Sequence, residues 1–422
     1  MREMKDSGMP WIGKIPKDWK TDKFKYHLKR SEPRNPGNQV VLSLYRDYGI
    51  IPKDSRDDNH NVTSEDTSNY KYVQIGDFVV NKMKAWQGSV AVSNYEGIVS
   101  PAYYVYKFSD HQIYKKYLHY LLRACYKDEF MRLSGGLRVG QWDLSADGLG
   151  NTYILIPPYD EQVKIADYLD SKKERIDSIR EGVEAEIEAL KEYKKSVITE
   201  AVTKGLNKNV EMKDSGIPWC PRIPKHWVPT NPKALFHQRK ERARENDKQL
   251  TASQKHGIVF QDDFMKIENQ KVVTVAKDFD ILKHVEPNDF VISMRSFQGG
   301  LEFSELSGCI SSAYVMLVPN CNLVYPPFYR WLFKSDKYIN AIQSTTNLIR
   351  DGQAMRFANF VMVPLFIIPL DEQQRIADYL NKKCSKVDSI IQKKQELLAN
   401  LDTYKKSLIY EYVTGKKEVP AV

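Results

Sequence analysis

The chain has 422 residues, a mass of 48.9 kDa and a formal net charge of +9, and hydrophobic residues make up 42% of it. This size and composition exclude a disordered polymer and allow about three domains. No apolar run reaches the roughly 18 residues of a membrane span, and the charged start lacks an apolar signal segment. The five cysteines form no CxxC pair, so we expect a reducing, cytoplasmic location without a disulfide framework or zinc knuckle.

An internal repeat covers both halves of the chain. Residues 4–19 (MKDSGMPWIGKIPKDW) and 212–227 (MKDSGIPWCPRIPKHW) are identical at 11 of 16 positions. Residues 160–179 and 371–390 are identical at 12 of 20 positions. Between these blocks the halves diverge. One fold therefore occurs twice, and divergent selection on its surfaces explains the pattern better than plain drift, which would not spare the helices.

Each globular part is predicted to be a mixed α/β domain. Alternating apolar runs indicate strands at Tyr72–Lys82, Ser89–Val92, Ile98–Phe108, Val272–Ala276, Phe290–Met294 and Ile310–Val318. Apolar residues at helical spacing indicate helices at Ile113–Leu133 and Pro326–Gln343.

A long helix is predicted after each globular part. The segment from Asp160 to Lys204 contains no proline and begins with two acidic residues, which suit a helix N-terminus. Apolar residues recur there at heptad spacing, as in a coiled-coil seam, and the same holds for residues 371–417. The predicted seam residues are Leu169, Ile176, Ile179, Val183, Leu190, Tyr193, Val197, Leu380, Val387, Ile390, Leu397, Leu401, Tyr404 and Leu408.

A helix with one apolar stripe must bury that stripe. Antiparallel pairing of the two long helices does so most economically; packing of each helix on its own globular part and pairing between chains are the alternatives. We therefore predict an α+β fold in which two mixed α/β domains are joined by two long antiparallel helices, an intramolecular coiled coil with pseudo-two-fold repetition. The predicted segments are residues 1–159, 160–204, 205–370 and 371–422.

The positive charge belongs to the globular parts and linkers. Residues 160–204 carry a net charge of −3 and residues 371–417 carry +3, so the two helices sum to zero. An anionic duplex would therefore dock on the globular parts.

Polar or basic side chains next to aromatic residues are the candidates for DNA contact. Arg and Lys match guanine O6 and N7, and Gln matches adenine N6 and N7. The alternative for each residue is a structural role in a turn, a core or a surface salt bridge. The candidates are Lys82, Lys84, Trp86, Gln87, Arg138, Gln141 and Trp142 in the first part, and Arg295, Ser296, Phe297, Gln298, Arg350, Gln353 and Arg356 in the second.

The sequence carries no catalytic motif that we recognise, so no catalytic residue is predicted. Pro157-Pro158-Tyr159 is similar to the PPY of amino-methyltransferases, but Ile156 occupies the position of the polar residue that would bind the amine. We interpret the two prolines as a joint between domain and helix. There is no P-loop sequence and no HExxH, so neither ATPase activity nor a metal site is predicted.

The doubled MKDSG-x-PW block, the doubled DEQ-x-x-IADYL block and the YKKS sequence near each helix end resemble the specificity subunit of type I restriction–modification enzymes. The resemblance runs through nearly the whole chain, in order and in both halves. It implies two target-recognition domains that each bind one half of an asymmetric, interrupted DNA sequence, with the helices setting the gap. It also implies a non-catalytic chain whose partners are double-stranded DNA, two modification subunits and restriction subunits.

By the same resemblance, partner subunits would methylate adenine N6 or cleave the DNA. S-adenosylmethionine would bind the modification subunit, and ATP with Mg would bind the restriction subunit, so this chain itself needs no cofactor. Trp11, Trp19, Trp219 and Trp227 are expected to brace the frame or contact a modification subunit, or to pack internally. The competing functions are a self-contained DNA methyltransferase or nuclease with fused recognition domains, and a non-catalytic coiled-coil scaffold.

Overall fold

The computed structural model describes residues 2–45, 48–56, 63–136, 142–269, 281–293, 296–345 and 355–420, without the side chain of Phe297. The chain forms two compact units. Unit 1 consists of residues 1–183 and 396–422, and unit 2 consists of residues 184–395. Each unit contains part of each long helix, so this division falls within the helices, whereas the predicted segments divide the chain at the helix ends.

Unit 1 contains short strands and helices before the first long helix. Its strands are Met4–Asp6, Lys14–Pro16, Lys20–Lys23, Leu28–Arg30, Leu42–Tyr45, Gly49–Pro52, Lys71–Val73, Phe78–Asn81, Val90–Val92, Gly97–Val99, Tyr103–Phe108, Ser134–Gly135, Asp143–Leu144 and Tyr153–Ile156. Its short helices are Phe24–His27, Lys53–Ser55, Ala85–Gln87, Lys115–Cys125, Lys127–Arg132 and Ala146–Asn151.

Unit 2 repeats this arrangement. Its strands are Met212–Asp214, Arg222–Pro224, Val228–Thr230, Phe236–Arg239, Leu250–Ser253, Gly257–Phe260, Lys283–Val285, Phe290–Ile292, Glu302–Phe303, Gly308–Ile310, Val315–Pro319 and Leu365–Ile367. Its short helices are Pro232–Leu235, Gln261–Glu268, Ser296–Gly299, Pro326–Leu332, Asp336–Ser344 and Phe357–Val361.

The same antiparallel four-stranded sheet forms the centre of each unit. In unit 1 the order is Leu28–Arg30, Tyr103–Phe108, Phe78–Asn81 and Val90–Val92, with Val79 opposite Val105. In unit 2 the order is Phe236–Arg239, Val315–Pro319, Phe290–Ile292 and Glu302–Phe303, with Val291 opposite Met316. The cores match as well: the Phe24 and Phe78 ring centroids are 5.7 Å apart, as are those of Phe236 and Phe290. The predicted α+β class with an internal repeat is therefore confirmed.

Several predicted elements are interrupted by turns. The run Tyr72–Lys82 is divided at Gly76, whose φ is +88°, a conformation that favours glycine. The predicted helix Ile113–Leu133 changes direction at Tyr126, which ends one helix and precedes the next. Pro326–Gln343 is likewise two helices, and Val272–Ala276 lies outside the described residues. The alternating pattern located these segments but did not reveal their turns.

The repeated MKDSG motif forms a β-hairpin that the sequence pattern does not predict. Met4–Asp6 pairs with Lys14–Pro16, and the second copy pairs in the same register. Trp19 and Trp227 follow these hairpins and are fully buried. Trp219 donates its indole N–H to the carbonyl of Pro364 at 2.9 Å. These three tryptophans pack internally and brace the frame.

The long helices are Tyr159–Lys204 and Leu370–Val413. Acidic residues occupy the first turn of each, where they interact favourably with the helix dipole. Pro157 and Pro158 join the strand Tyr153–Ile156 directly to the first long helix, as the joint interpretation predicts.

Within each unit the two helices run antiparallel. In unit 1, Lys405 pairs with Asp177 at 2.5 Å, and Arg180 pairs with Asp402 at 2.5 Å. In unit 2, Lys194 pairs with Asp388 at 2.7 Å, and Lys394 pairs with Glu186. In both units, ion-pair partners on the second helix have lower residue numbers as the residue number on the first helix rises. The two helices are therefore antiparallel.

The buried stripe follows the predicted seam only in part. Leu169, Ile176, Val183, Leu380, Val387 and Leu408 are buried, while Leu190, Val197 and Leu401 are half-buried. The prediction is wrong for the second apolar position of each heptad, three residues after the first. The residues at these positions are exposed: Ile179, Tyr193, Ile390, Leu397 and Tyr404. Ile187, Ile198, Val202, Cys384 and Tyr412 are buried instead. Their spacings of four and eleven residues suit a straight helix of 3.6 residues per turn, which rotates away from a strict heptad.

A glycine in the left-handed region follows the end of each long helix. Gly205 has φ +72° and Gly415 has φ +68°, which an L side chain adopts only with strain. A Cβ at Gly415 would also lie 2.5 Å from the ring of Pro16 and 2.9 Å from that of Trp19. The helix end therefore packs closely against the hairpin motif.

We expect Gly415→Ala to destabilise unit 1 by about 2–4 kcal/mol, because it combines backbone strain with a steric clash. Gly8→Ala is the matched control: Gly8 has φ +73° but nothing within 4 Å of the added Cβ, so strain alone should cost about 1 kcal/mol. Urea unfolding of both variants measures the difference. Equal losses would show that the close packing at Gly415 contributes nothing.

Candidate nucleic-acid interface

Two adjacent residues of the repeated DEQ block fasten each globular part to its helix. The carboxylates of Glu161 and Glu372 accept the indole N–H of Trp19 and Trp227 at 3.0 and 3.1 Å. The fully buried amides of Gln162 and Gln373 each donate to two carbonyls at 2.8–2.9 Å and accept one backbone N–H at 2.8 Å. These hydrogen bonds fix the position of each globular part on its helix, because breaking them would leave unpaired polar groups in the core.

In unit 1, two predicted DNA-contact segments come together. The ring centroids of Trp86 and Trp142 are 5.7 Å apart, and the Lys82 ammonium lies 2.7 Å from the Asp143 carboxylate. Trp86 also donates its indole N–H to the carbonyl of Met83 at 3.0 Å. Lys84 projects from this loop and is exposed. We give the name unit 1 loop surface to the four residues Lys82, Lys84, Trp86 and Trp142. The charge of Lys84 faces solvent, whereas the charge of Lys82 is neutralised by Asp143.

A second cationic and aromatic group in unit 1 was missed by the sequence analysis. The Arg56 guanidinium lies 4.4 Å from the ring centroid of Tyr48 and 5.8 Å from that of Tyr45, next to the hairpin Leu42–Tyr45 and Gly49–Pro52. Tyr48 is exposed. Stacked Arg and Tyr side chains are a common surface for nucleic acid bases. The signal in the sequence was the pair of tyrosines at 45 and 48, which lie outside any alternating run.

The corresponding loop of unit 2 keeps the same order of residue types, because Arg295-Ser296-Phe297-Gln298-Gly299 aligns with Lys84-Ala85-Trp86-Gln87-Gly88. Ser296 is buried, and its hydroxyl accepts the backbone N–H of Ser293 at 2.8 Å, so the expectation of an exposed contact residue is wrong for Ser296 in this conformation. Gln298 is exposed. A Cβ at Gly299 would lie 2.7 Å from the side-chain nitrogen of Gln254, so the hairpin carrying Gln254 packs beside this loop. The two units differ at the hairpin beside the loop, whose turn has Gln254 and His256 in unit 2 and Tyr48 beside Arg56 in unit 1.

A lysine braces the sheet at equivalent places in the two units. Lys71 donates to the carbonyl of Tyr103 at 2.5 Å, and Lys283 donates to that of Tyr314 at 2.6 Å. Burial lowers the pKa of the Lys283 ammonium, and the nearby charge of Arg242 lowers it further. Both lysines hold the start of a central strand, so this support is the same in the two units.

The remaining DNA-contact predictions stay predictions. Gln87 is half-buried, and Arg356 is exposed at the start of the helix Phe357–Val361, with its backbone N–H donating to Asn359 at 3.0 Å. The other candidates, whose side chains lie outside the described part of the chain, are Arg138, Gln141, Arg295, Phe297, Arg350 and Gln353.

A half-buried histidine, His119, makes unit 1 sensitive to acid. The Nδ1 atom of His119 accepts the backbone N–H of Val92 at 3.2 Å, so that nitrogen carries no proton. Burial lowers the pKa of His119 to about 3, and the charge of Arg123 contributes. The unfolded chain takes up this proton near pH 6.5, so this contribution to stability is complete above that pH and is lost as the pH falls toward 3.

We therefore expect the wild type to lose roughly 1–2 kcal/mol more unfolding free energy than His119→Asn between pH 7 and pH 5. Asparagine keeps an acceptor for Val92 but does not titrate in this range. Urea unfolding at the two pH values measures the difference. Parallel pH profiles for the two proteins would contradict the assignment.

Within the described residues, no group of three or more His, Cys, Asp or Glu side chains is placed to hold a metal ion. In the same part of the chain, no helix is long and apolar enough to cross a membrane. The five cysteines are free thiols, of which only Cys321 is exposed.

Known proteins share the sequence features and the fold. The family described as "Type I restriction modification DNA specificity domain" matches residues 25–189. The type I restriction enzyme MjaX specificity subunit of Methanocaldococcus jannaschii is 22% identical over 444 residues, which cover 97% of this chain and 96% of that protein. This chain is therefore similar to the specificity subunits of type I restriction–modification systems. The resemblance seen in the repeated motifs is confirmed.

Solved structures share the fold of this chain. One is a chain from a study of complex assembly and conformational transition of the type I R-M system; its TM-score is 0.69 at 14% identity, over 96% of this chain and 99% of that chain. The HsdS subunit from Thermoanaerobacter tengcongensis gives a TM-score of 0.55 at 14% identity, over 96% of this chain and 98% of that chain. The shared fold therefore extends over nearly the whole length of this chain and of both solved chains.

Proposed function

We propose that this specificity subunit recognises an asymmetric bipartite DNA target, with the globular part of each unit binding one half. The observation that carries the proposal is the contrast between equal support and unequal hairpins beside the loops. Sheet order and bracing lysines match in the two units, whereas the hairpin turn has Tyr48 beside Arg56 in unit 1 and Gln254 with His256 in unit 2. Two unlike surfaces on one fold suit two unlike half-sites.

The paired long helices would set the gap between the half-sites. A 46-residue helix is about 69 Å long, which limits the separation of the half-sites to about 20 base pairs. If both parts bind the same face of the duplex, a centre separation of about one turn, or 10 base pairs, is expected. The ion pairs between the helices support a rigid spacer, because they fix the register within each unit.

The chemistry would reside on partner subunits. Two modification subunits, carrying S-adenosylmethionine, would methylate adenine N6 in the recognised sequence, and restriction subunits with ATP and Mg would cleave unmodified DNA. The role of this chain is then to bind and orient the duplex without catalysing a step. The exposed ammonium of Lys84 supports phosphate contact rather than bond making.

Mapping methylated adenines tests the proposal directly. The chain is combined with the cognate modification subunit and S-adenosylmethionine and incubated with genomic DNA that lacks methylation. We expect methylation within one interrupted sequence with two unlike halves and a fixed gap. A single uninterrupted site, or two identical halves, would contradict the two-surface proposal.

DNA-binding and methyl-transfer assays of the isolated chain distinguish the competing functions. We expect it to bind a random duplex pool with an affinity that falls as salt rises, and to transfer no methyl group from labelled S-adenosylmethionine. Methyl transfer or cleavage by the isolated chain would indicate a self-contained enzyme. Absence of DNA binding at low salt, both alone and with the modification subunit, would indicate a protein scaffold.

A further inference from the structure

A fully buried histidine of unit 2 lies between two carboxylates. The Nδ1 atom of His284 is 2.7 Å from a carboxylate oxygen of Asp247, and its Nε2 atom is 2.8 Å from a carboxylate oxygen of Glu286. A carboxylate only accepts hydrogen bonds, and a neutral imidazole carries a proton on one of its two nitrogens. Both contacts are therefore hydrogen bonds only when the ring is an imidazolium cation, protonated on both nitrogens.

Charged groups lie on every segment packed against this ring. The Arg244 guanidinium binds the carboxylates of Glu286 and Glu241, each at 2.8 Å. The hydrogen bond from His284 is the main reason that the pKa of the Glu286 carboxyl lies below its usual range. On the adjacent strand, burial raises the pKa of the Cys309 thiol to about 11, so this thiol stays neutral near neutral pH. Other charged groups on these segments include Arg242, Glu245, Lys248, Lys283 and Asp289.

The contact between His284 and Asp247 fixes the base of a hairpin. We call residues 250–260, which form the strands Leu250–Ser253 and Gly257–Phe260, the unit 2 hairpin. Asp247 lies three residues before this hairpin, and His284 lies on the strand beside it. At its turn the hairpin carries Gln254, whose side-chain nitrogen would lie 2.7 Å from a Cβ at Gly299 in the candidate DNA-contact loop. The position of Gln254 beside that loop therefore depends on how firmly the base of the hairpin is held.

Tyr72 occupies the place of His284 in unit 1. Tyr72 pairs with Ile98 in the strand ladder where His284 pairs with Cys309, and its hydroxyl donates to Glu96. A tyrosine does not change its charge near neutral pH, whereas a histidine does. The hairpin of unit 1 is therefore held at this place without a proton that is gained or lost near neutral pH.

Unit 1 has its own histidine between two carboxylates, but at the other end of its sheet. His27 contacts Asp110 at 2.8 Å and Asp22 at 3.2 Å. The residue after His27 pairs with the last residue of the strand Tyr103–Phe108, whereas the residue before the unit 1 loop surface pairs with the first. The charge of His27 therefore does not bear on the loop.

We propose that His284 is a positioning residue that, in its protonated form, holds the unit 2 hairpin beside the DNA-contact loop, so that DNA recognition by unit 2 alone weakens as the pH rises. This inference rests on the proposed function. When the proton is lost, a lone pair on one ring nitrogen faces a carboxylate oxygen, and an attraction becomes a repulsion. The support is thus complete at low pH and is lost as the imidazolium deprotonates.

Hydrogen exchange of the full chain tests the hairpin without DNA. Peptides from residues 250–260 are compared with peptides from residues 42–52 of unit 1 at about pH 6 and about pH 8.5, after correction for the intrinsic effect of pH on exchange. We expect protection of the unit 2 hairpin to fall at least about tenfold and protection of the unit 1 hairpin to stay the same. An equal change in both hairpins, or none in either, would overturn the proposal.

Selection from a random duplex pool tests recognition. The chain with its cognate modification subunit is incubated with the pool at the same two pH values, and the bound duplexes are sequenced. At the higher pH we expect at least about tenfold less enrichment of one half-site only, the half that Lys84→Ala with Trp86→Ala leaves intact. Loss at the other half, at both or at neither would overturn the role of His284 in recognition. If no bipartite sequence is enriched at either pH, the proposed function fails, and hydrogen exchange still decides whether His284 positions the hairpin.

Glu286→Gln removes the need for the proton. The glutamine amide donates to an unprotonated Nε2, so a neutral His284 keeps both contacts, and we expect hairpin protection and recognition to become independent of pH in this range. The Glu286 side chain is 31% exposed, so this substitution leaves the core intact. A pH response that persists in this variant would assign the response to another group, such as Lys283, whose pKa is lowered by burial, and would overturn the proposal.

His256→Gln is the matched control. His256 lies in the turn of the same hairpin and contacts one carboxylate, that of Glu268, at 2.7 Å. A neutral imidazole satisfies a single carboxylate as well, so we expect this variant to keep the wild-type pH response. Loss of the response in this variant would transfer the pH dependence from His284 to His256 and overturn the proposal.

Discussion

Inserting seven residues into each long helix, after Glu186 and before Lys394, is expected to lengthen the gap of the DNA target by about three base pairs. Seven residues add about 10.5 Å, close to three steps of 3.4 Å, and two helical turns nearly preserve the orientation of the apolar stripe. The two sites of insertion face each other, because Glu186 and Lys394 form an ion pair. Methylation at the original gap should fall at least about 100-fold, while both half-sites keep their sequence.

The control is insertion of the same seven residues into one helix only. That change shifts the charges of one helix past their partners, including Lys194 and Asp388, and should lower stability instead of producing a defined new gap. Methylome mapping of the three proteins with the modification subunit measures the gap. An unchanged gap in the doubly extended protein would refute the spacer role.

Lys84→Ala combined with Trp86→Ala is expected to abolish reading of one half-site only. Loss of a phosphate contact and of an aromatic stacking surface should cost about 2–5 kcal/mol of binding, or at least about 30-fold in affinity. The bracing pair of Lys82 and Asp143 remains in this variant, so the loop keeps its support. The salt dependence should also weaken by about one ion.

Competition with duplexes in which one half of the target is randomised separates the two halves. The double variant should lose preference at the unit 1 half and keep it at the other. Gln298→Ala in unit 2 is the reciprocal control, because Gln298 is exposed on the corresponding loop. Equal loss at both halves in either variant would contradict independent reading.

The repeat made the architecture predictable. Two blocks with an offset near half the chain indicated one fold used twice, and the proline-free segments located both long helices. The buried positions at Leu169, Ile176 and Leu380 followed from spacing alone. The exposure of residues such as Ile179 did not follow from spacing. A heptad repeat assumes 3.5 residues per turn, whereas a straight helix has 3.6, so its apolar face turns gradually away from the neighbouring helix.

For the loop surfaces, the sequence predicted which segments contribute but not which side chains contact each other. Composition drew attention to Lys82–Gln87 and to Trp142, but not to the contact between Trp86 and Trp142, which depends on the strand Asp143–Leu144 packing beside the loop. Ser296 looked like a contact residue and is buried, because its hydroxyl closes the turn at Ser293. Arg56 and Tyr48 were overlooked because their partnership arises from a hairpin and not from a periodic pattern.

The way unit 1 is completed has a consequence during protein synthesis. Its first hairpin packs against Gly415, and the hydroxyl of Tyr117 donates to the carbonyl of Val413 at 2.9 Å. These early residues therefore cannot complete their core until residues about 300 positions later have been synthesised. Unit 2 consists only of residues 184–395, so all of its residues have been synthesised before the second segment of unit 1. A ribosome that stops before residue 396 would therefore release a product with one finished half and one half still exposing its core, an obvious substrate for cellular proteases.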